Sequence, residues 1–172
     1  QYSDLSGKKI VAAFMGISAL LSMWVMNTST TIMLLPIAVS VCYVICDTVK
    51  DISEKERTNL QVCVLLGIAY SSSIGGIATP IGTGPNGFLI QFLAKENIDI
   101  GFVDWFLIGL PVSICLLPIL WMILTYLLFP LSFKANELAK KPIQKMLKDL
   151  GPMSSEEKIV GIIFFLTALC WI

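Results

Sequence analysis

The sequence predicts an all-α polytopic membrane protein containing a re-entrant helical hairpin and a discontinuous transmembrane helix. Three observations predict it. Of 172 residues, 56% are apolar and only 14% charged, with a mean hydropathy of +0.82, against about 25% charged in soluble domains. The charges are absent from three long runs: 37 residues from Ile10 to Cys46, 37 from Thr58 to Ala94, and 29 from Trp105 to Phe133. Apolar stretches of about 18 residues or more without charge read as membrane spans. Finally, the first two runs are each broken in the middle by residues that a simple span does not need.

Residues 1–9 carry Lys8 and Lys9 and read as a cytoplasmic lead-in. The basic residues cluster at positions 8–9, 50–57 and 134–158, and only Lys95 lies elsewhere. Placing those clusters on one side makes that side cytoplasmic by the positive-inside rule. Residues 10–46 then leave the cytoplasm and return to it. Ile10–Met26 is apolar, Asn27-Thr28-Ser29-Thr30-Thr31 is polar, and Ile32–Cys46 is apolar again. Two full spans with an external turn would fit this pattern, as would a re-entrant hairpin whose tip stops inside the bilayer. The hairpin is favoured. Each arm covers about 23–26 Å at helical rise, short of a hydrocarbon core of roughly 30 Å. Five uncharged polar residues also suit a cavity lining better than an external loop.

A cytoplasmic loop is expected at 47–58 and a broken transmembrane helix at 59–94. Between Gly75 and Gly87, five glycines and two prolines occur in thirteen residues, too many for a regular helix. An extracytoplasmic loop at 95–104, a transmembrane helix at 105–130 and a cytoplasmic linker at 131–158 follow. The last apolar run, 159–172, is shorter than a span and is expected to be the truncated start of the next one. The chain thus reads as an internal piece of a longer transporter, without a signal peptide.

Several functions are disfavoured at once. Equal numbers of acidic and basic residues, 12 each, give no net field for nucleic acid. No histidine and no C-x-x-C pair is present, so zinc centres and His-assisted nucleophiles lack parts. The five cysteines read as small buried hydrophobes. No catalytic residues and no organic cofactor are expected, and the chain does not read as an enzyme. Gly82-Thr83-Gly84-Pro85-Asn86-Gly87 spells a dinucleotide fingerprint, but no strand precedes it and Pro85 lacks an N–H. Glu156 and Glu157 read as a helix N-terminal cap.

Two broken helices at membrane depth point to transport. A helix ending at a break offers carbonyls to a hard cation such as Na⁺, and the next helix offers N–H groups to an anion. Ser and Thr in spans also bond simply to the preceding turn, and glycine aids helix packing.

The segment Leu21–Thr31 with Met33-Leu34-Leu35-Pro36-Ile37, and the segment from Leu66 to Gly76 continuing through Gly82-Thr83-Gly84-Pro85-Asn86, resemble the divalent anion/sodium symporter family. Thr167–Ile172 is similar to that family's helix after its cytoplasmic linker. The resemblance implies secondary transport of C4-dicarboxylates or citrate coupled to sodium, on an inverted-repeat, elevator-type fold. It implies a multi-pass protein of the plasma membrane or bacterial inner membrane, surrounded by lipid and paired as a homodimer. By the family's pattern, Ser22, Met26, Asn27 and Gly82 would hold sodium, while Asn27, Thr28 and Thr83 would meet the substrate carboxylate. The family's hairpin tip commonly reads Ser-Asn-Thr, whereas here it reads Met26-Asn27-Thr28. A thioether is a poor ligand for a hard cation, which leaves only the Met26 carbonyl. A sodium-independent exchanger and a sodium/sulfate symporter are the alternatives.

Overall fold

A computed structural model of the chain describes residues 5–49, 52–131, 134–135, 151 and 153–170. Among the described residues six helices follow in order: α1 (Gly7–Ser22), α2 (Asn27–Thr48), α3 (Glu54–Ile77), α4 (Gly84–Lys95), α5 (Phe102–Met122) and α6 (Ser155–Cys170). A π-helical turn, Ile123–Leu128, extends α5. Among the described residues, the β-structure is a two-residue antiparallel ladder that pairs Leu5 with Ala135 and Ser6 with Lys134.

Small residues let α1 and α3 pack at close range. Gly67, Ser71 and Gly75 recur every four residues on the buried face of α3, the spacing that brings membrane helices together. A Cβ on Gly75 would overlap the Ala19 backbone. The close approach lets Ser18 Oγ donate to the Ile68 carbonyl at 2.9 Å. Contacts of residues 15 and 19 with 67 and 75 make α1 and α3 parallel. The pairing of Thr31 with Ser72 and the shared walls of residues 42–47 and 54–61 make α2 antiparallel to α3. The buried stripe Thr30, Leu34, Ala38, Cys42 and Ile45–Cys46 of α2 faces it, as the helical period requires.

The polar stretch from Asn27 to Thr31 is helical, the first turn of α2, rather than an irregular tip. The break falls at Met23–Met26 instead, where Trp24 and Val25 N–H groups both bond the Leu21 carbonyl. α3 also runs through Gly75-Gly76 to Ile77, so the second break narrows to 78–83. At helical rise α2 and α3 extend about 33 and 36 Å, long enough to cross a bilayer, whereas α1 covers about 24 Å and α4 about 18 Å. Helices Asn27–Thr48, Glu54–Ile77 and Phe102–Leu128 have the length and composition to cross a membrane. The expectation of two short arms in each run therefore applies to α1 and α4 only. The chain is a multi-pass integral membrane protein, and its outward apolar side chains, such as Phe88 and Leu127, suit lipid.

The other boundaries follow from local chemistry. Ser53 and Glu56 form a reciprocal N-terminal box at α3, and Ser154 with Glu157 does the same at α6. Asn97, at φ 61°, ends α4. Its N–H bonds Ala94 and that of Ile98 bonds Leu93, a C-terminal motif that needs a left-handed residue. The expected loop at 95–104 thereby shortens to 96–101, where Asp104 accepts the Gly101 N–H. Of the cytoplasmic linker at 131–158, residues 132–133, 136–150 and 152 lie outside the described residues, as do residues 1–4 of the lead-in and the terminal pair 171–172. Gly7, Lys8 and Lys9 belong to α1. Cys42, Cys46 and Cys63 are buried as expected, whereas Cys115 and Cys170 are exposed.

Helix α5 closes the bundle. Gly109 lets it approach Ile77 and Ala78, Ser113 Oγ donates to the Ile74 carbonyl at 2.7 Å, and Trp105 Nε1 donates to the Ile77 carbonyl at 2.9 Å. At its other end Trp121 Nε1 donates to the Lys8 carbonyl, and Lys8 Nζ sits 3.5 Å over the Tyr126 ring. Trp105→Phe strands the Ile77 carbonyl where water is scarce, and the expected loss is about 1–3 kcal/mol. The melting midpoint of the full-length protein in detergent measures it; an unchanged midpoint contradicts the assignment.

Candidate functional site

Both breaks open at the same end of the bundle. α1 ends at Ser22, α2 starts at Asn27, α3 ends at Ile77, and contacts between these ends bring them together. The inward terminal atom of the Asn27 amide lies 2.7 Å from Ser22 Oγ and 3.2 Å from the carbonyl oxygens of Ser72 and Gly82. Two arrangements of the amide are available, of which nitrogen inward satisfies its neighbours without a cation. With nitrogen inward, the amide's two hydrogens are shared among three acceptors, the Ser72 and Gly82 carbonyls and Ser22 Oγ. With Oδ1 inward, Ser22 Oγ donates to it, and the Ser72 and Gly82 carbonyls then face a third acceptor. Those oxygens repel unless a cation lies among them. Oxygen ligands about 2.4 Å from a hard cation and 90° apart lie about 3.4 Å from one another, close to the 3.2 Å separations here.

Backbone closeness makes glycine necessary at position 82. A Cβ there would lie 2.5 Å from the Gly76 oxygen and 2.9 Å from the Ser22 oxygen. No charged side chain lies in the runs that form this site, so a cation would be held by dipoles alone.

The α3 carbonyls expected to be free are mostly taken. Ile74 accepts from Ser113, Gly75 from the Ala78 N–H, and Ile77 from Trp105. The buried Asn86 side chain reaches back from α4 and donates to Gly76 and Thr79 carbonyls, each at 2.8 Å. Protein donors thus cap the end of α3.

Both helices that begin at the breaks start without a side-chain cap. The N-cap of α2 is Met26 and that of α4 is Thr83, and neither side chain bonds the first turn. Free N–H groups and the positive end of the helix dipole favour an anion in such places. α4 opens with Gly84-Pro85, and a Cβ on Gly84 would meet open space. A carboxylate can approach that backbone closely.

The structure brings Ser22, Asn27 and Gly82 together. Met26 is not part of the cluster: its side chain is 64% exposed, and its carbonyl accepts the Thr30 N–H at 3.0 Å. Thr28 is exposed in the first turn of α2, and Thr83 is half-buried at the N-cap of α4. Sequence reasoning gave no role to Ser72, Thr79, Asn86, Trp105 or Ser113. Their signal was a polar atom in a charge-free run, shared with residues that only bond their own helix. Ser73 and Thr125 are of that second kind, each donating to the carbonyl four residues back.

Comparison with known proteins agrees with this architecture. The citrate transporter family profile matches residues 2–172. The chain is 33% identical over 176 residues to the sodium-dependent dicarboxylate transporter SdcS of Staphylococcus aureus strain USA300, covering 97% of this chain. The match to SdcS from strain NCTC 8325 has the same identity and coverage. The chain spans about a third (32%) of the length of these curated relatives. With its hairpin motif, its broken-helix motif and its whole described length matched, the chain belongs to the citrate transporter family, within the divalent anion/sodium symporter group.

Proposed function

We propose that the protein carrying this chain is a secondary active transporter of divalent organic anions, of the C4-dicarboxylate or citrate type, coupled to sodium. The observation that carries this reading is the convergence of the Asn27 amide, Ser22 Oγ and the Ser72 and Gly82 carbonyls beside two uncapped helix N-termini. A cation among those oxygens and a carboxylate at the N–H groups would neutralise each other where no side chain supplies charge. Asn27 belongs to both halves, since its side chain enters the cluster while it opens α2. Thr28 and Thr83 flank the two N-termini and are assigned to the carboxylate.

On the α1 side depth supports a re-entrant hairpin, while α2 is long enough to cross. From Ile10, just past Lys9, to Ser22 the helix climbs about 20 Å, less than a hydrocarbon core of roughly 30 Å. Elevator-like motion, a homodimer and a lipid surround belong to the same reading. Radiolabelled succinate, citrate and sulfate offered to proteoliposomes of the full-length protein test the substrate. Saturable succinate or citrate uptake supports the assignment. Transport of sulfate alone replaces it, and uptake of none removes it.

A second reading, sodium-independent exchange, is favoured by Met26, which stands where the family pattern has a serine and whose side chain is exposed. Met26→Ser restores the family's hydroxyl at the N-cap of α2, and apparent sodium affinity is expected to rise at least about threefold. Sodium titration of uptake measures it; no gain counts against Met26 as the cause of altered coupling.

A further inference from the structure

We propose that Thr79 is a positioning residue that fixes the Gly82 carbonyl by tying the α3–α4 break to the α1–α2 turn. The inference rests on the sodium-site reading above. Thr79 is fully buried, and its hydroxyl bonds two backbone groups from different elements. It donates its one proton to the carbonyl of Met23, 56 residues earlier. Its lone pair then accepts the Gly82 N–H at 3.1 Å. Met23 directly follows Ser22, and Gly82 carries the carbonyl that faces Asn27. One hydroxyl therefore links the backbone adjoining both groups, without itself entering the oxygen cluster.

The direction of each bond is forced. A carbonyl only accepts and an N–H only donates, so a hydroxyl is the smallest group that joins the two. Met23 is the C-cap of α1, where carbonyls have no helical partner. Two other bonds hold the loop on its far side. Asn86 occupies the Thr79 carbonyl, and the Gly82 N–H also reaches that oxygen at 3.3 Å. Loss of the hydroxyl releases the hairpin side while leaving the Asn86 side in place. The two halves of the oxygen cluster then become free to drift apart, and sodium binding suffers before substrate binding does.

The experiment is a sodium titration of succinate uptake by the full-length protein in proteoliposomes, with Thr79→Val, Thr79→Ser and Ser113→Ala. Valine keeps the shape and removes both bonds. Its half-saturating sodium concentration is expected to rise about tenfold, the size of effect seen when outer-shell partners of ion ligands are lost. The succinate KM at saturating sodium stays within about twofold, and serine restores the sodium affinity of the parent. Ser113→Ala also deletes a long-range bond to an α3 carbonyl, but one away from Gly82, and leaves sodium affinity unchanged. Should valine prevent assembly, Thr79→Cys retains a weak donor and is expected to shift half-saturation about threefold. Unchanged sodium affinity in both Val and Cys variants, with a parent that saturates normally, overturns the role of Thr79 alone. A parent whose uptake ignores sodium overturns the sodium-site reading and this role with it.

Discussion

Replacing Asn27 with alanine is expected to lower sodium-driven anion uptake by about 100-fold or more in the full-length protein. Asn27 is where the two halves of the site meet. Its amide is within 3.2 Å of groups from α1, α3 and the second break at once, while its own backbone begins α2. Alanine removes the atom around which Ser22 Oγ and the two carbonyls are arranged. It leaves those acceptors facing one another in a dry place, which raises the energy of the empty site as well as weakening the loaded one. The rate is read as initial uptake in proteoliposomes at matched protein content, with thermal melting as the control for folding. Uptake within about threefold of the parent at saturating sodium would show that the cluster is structural.

Gly75→Ala is the second large effect, and it acts on stability. The added methyl would occupy the position of the Ala19 backbone, and backbone in the middle of a helix cannot move aside as a flexible side chain can. Separating α1 from α3 also breaks the Ser18–Ile68 bond and draws Ser22 away from Gly82. Overpacking of this kind costs about 3 kcal/mol or more. A fall of more than about 5 °C in the detergent melting midpoint, or loss of membrane accumulation, is the expected result. Gly16→Ala is the control, since a methyl there meets open space. Equal midpoints for the two variants would remove the close α1–α3 contact from this account.

Much of this architecture was legible in the sequence because the bilayer restricts what a chain can do. Charge-free runs located the spans, the glycine-proline cluster located the second break, and the family resemblance indicated Ser22, Asn27 and Gly82, which the structure brings together. Placement of the polar stretch within the first break was less accessible. Asn27 through Thr31 look like a loop by composition, yet once Thr30 bonds the Met26 carbonyl they form a helical turn. Thr31 then donates to the Asn27 carbonyl within the same turn. Gly75 and Gly76 read as helix breakers, but buried against another helix they serve as contact points, and packing outweighs their propensity.

The residues that cap the end of α3 were harder still. Trp105, Ser113 and Asn86 act on carbonyls 28, 39 and 10 residues away, and Thr79 on one 56 residues away. No local pattern distinguishes such a serine from Ser73, which bonds only its own helix. The expectation that the breaks expose free carbonyls was correct as chemistry for an isolated helix. Here the protein supplies most of the missing donors itself, and the oxygens left to a cation are fewer and more closely defined. The N-terminal side behaved differently, because neither Met26 nor Thr83 caps the helix it precedes.

The most direct test of sodium coupling through the Ser22–Asn27–Gly82 cluster is radiolabelled succinate uptake into proteoliposomes of the full-length protein. It is measured with an inward sodium gradient and again with choline in place of sodium. The account predicts accumulation above equilibrium that requires the gradient and disappears in Asn27→Ala. Uptake that ignores sodium and instead requires dicarboxylate inside the vesicle would contradict it.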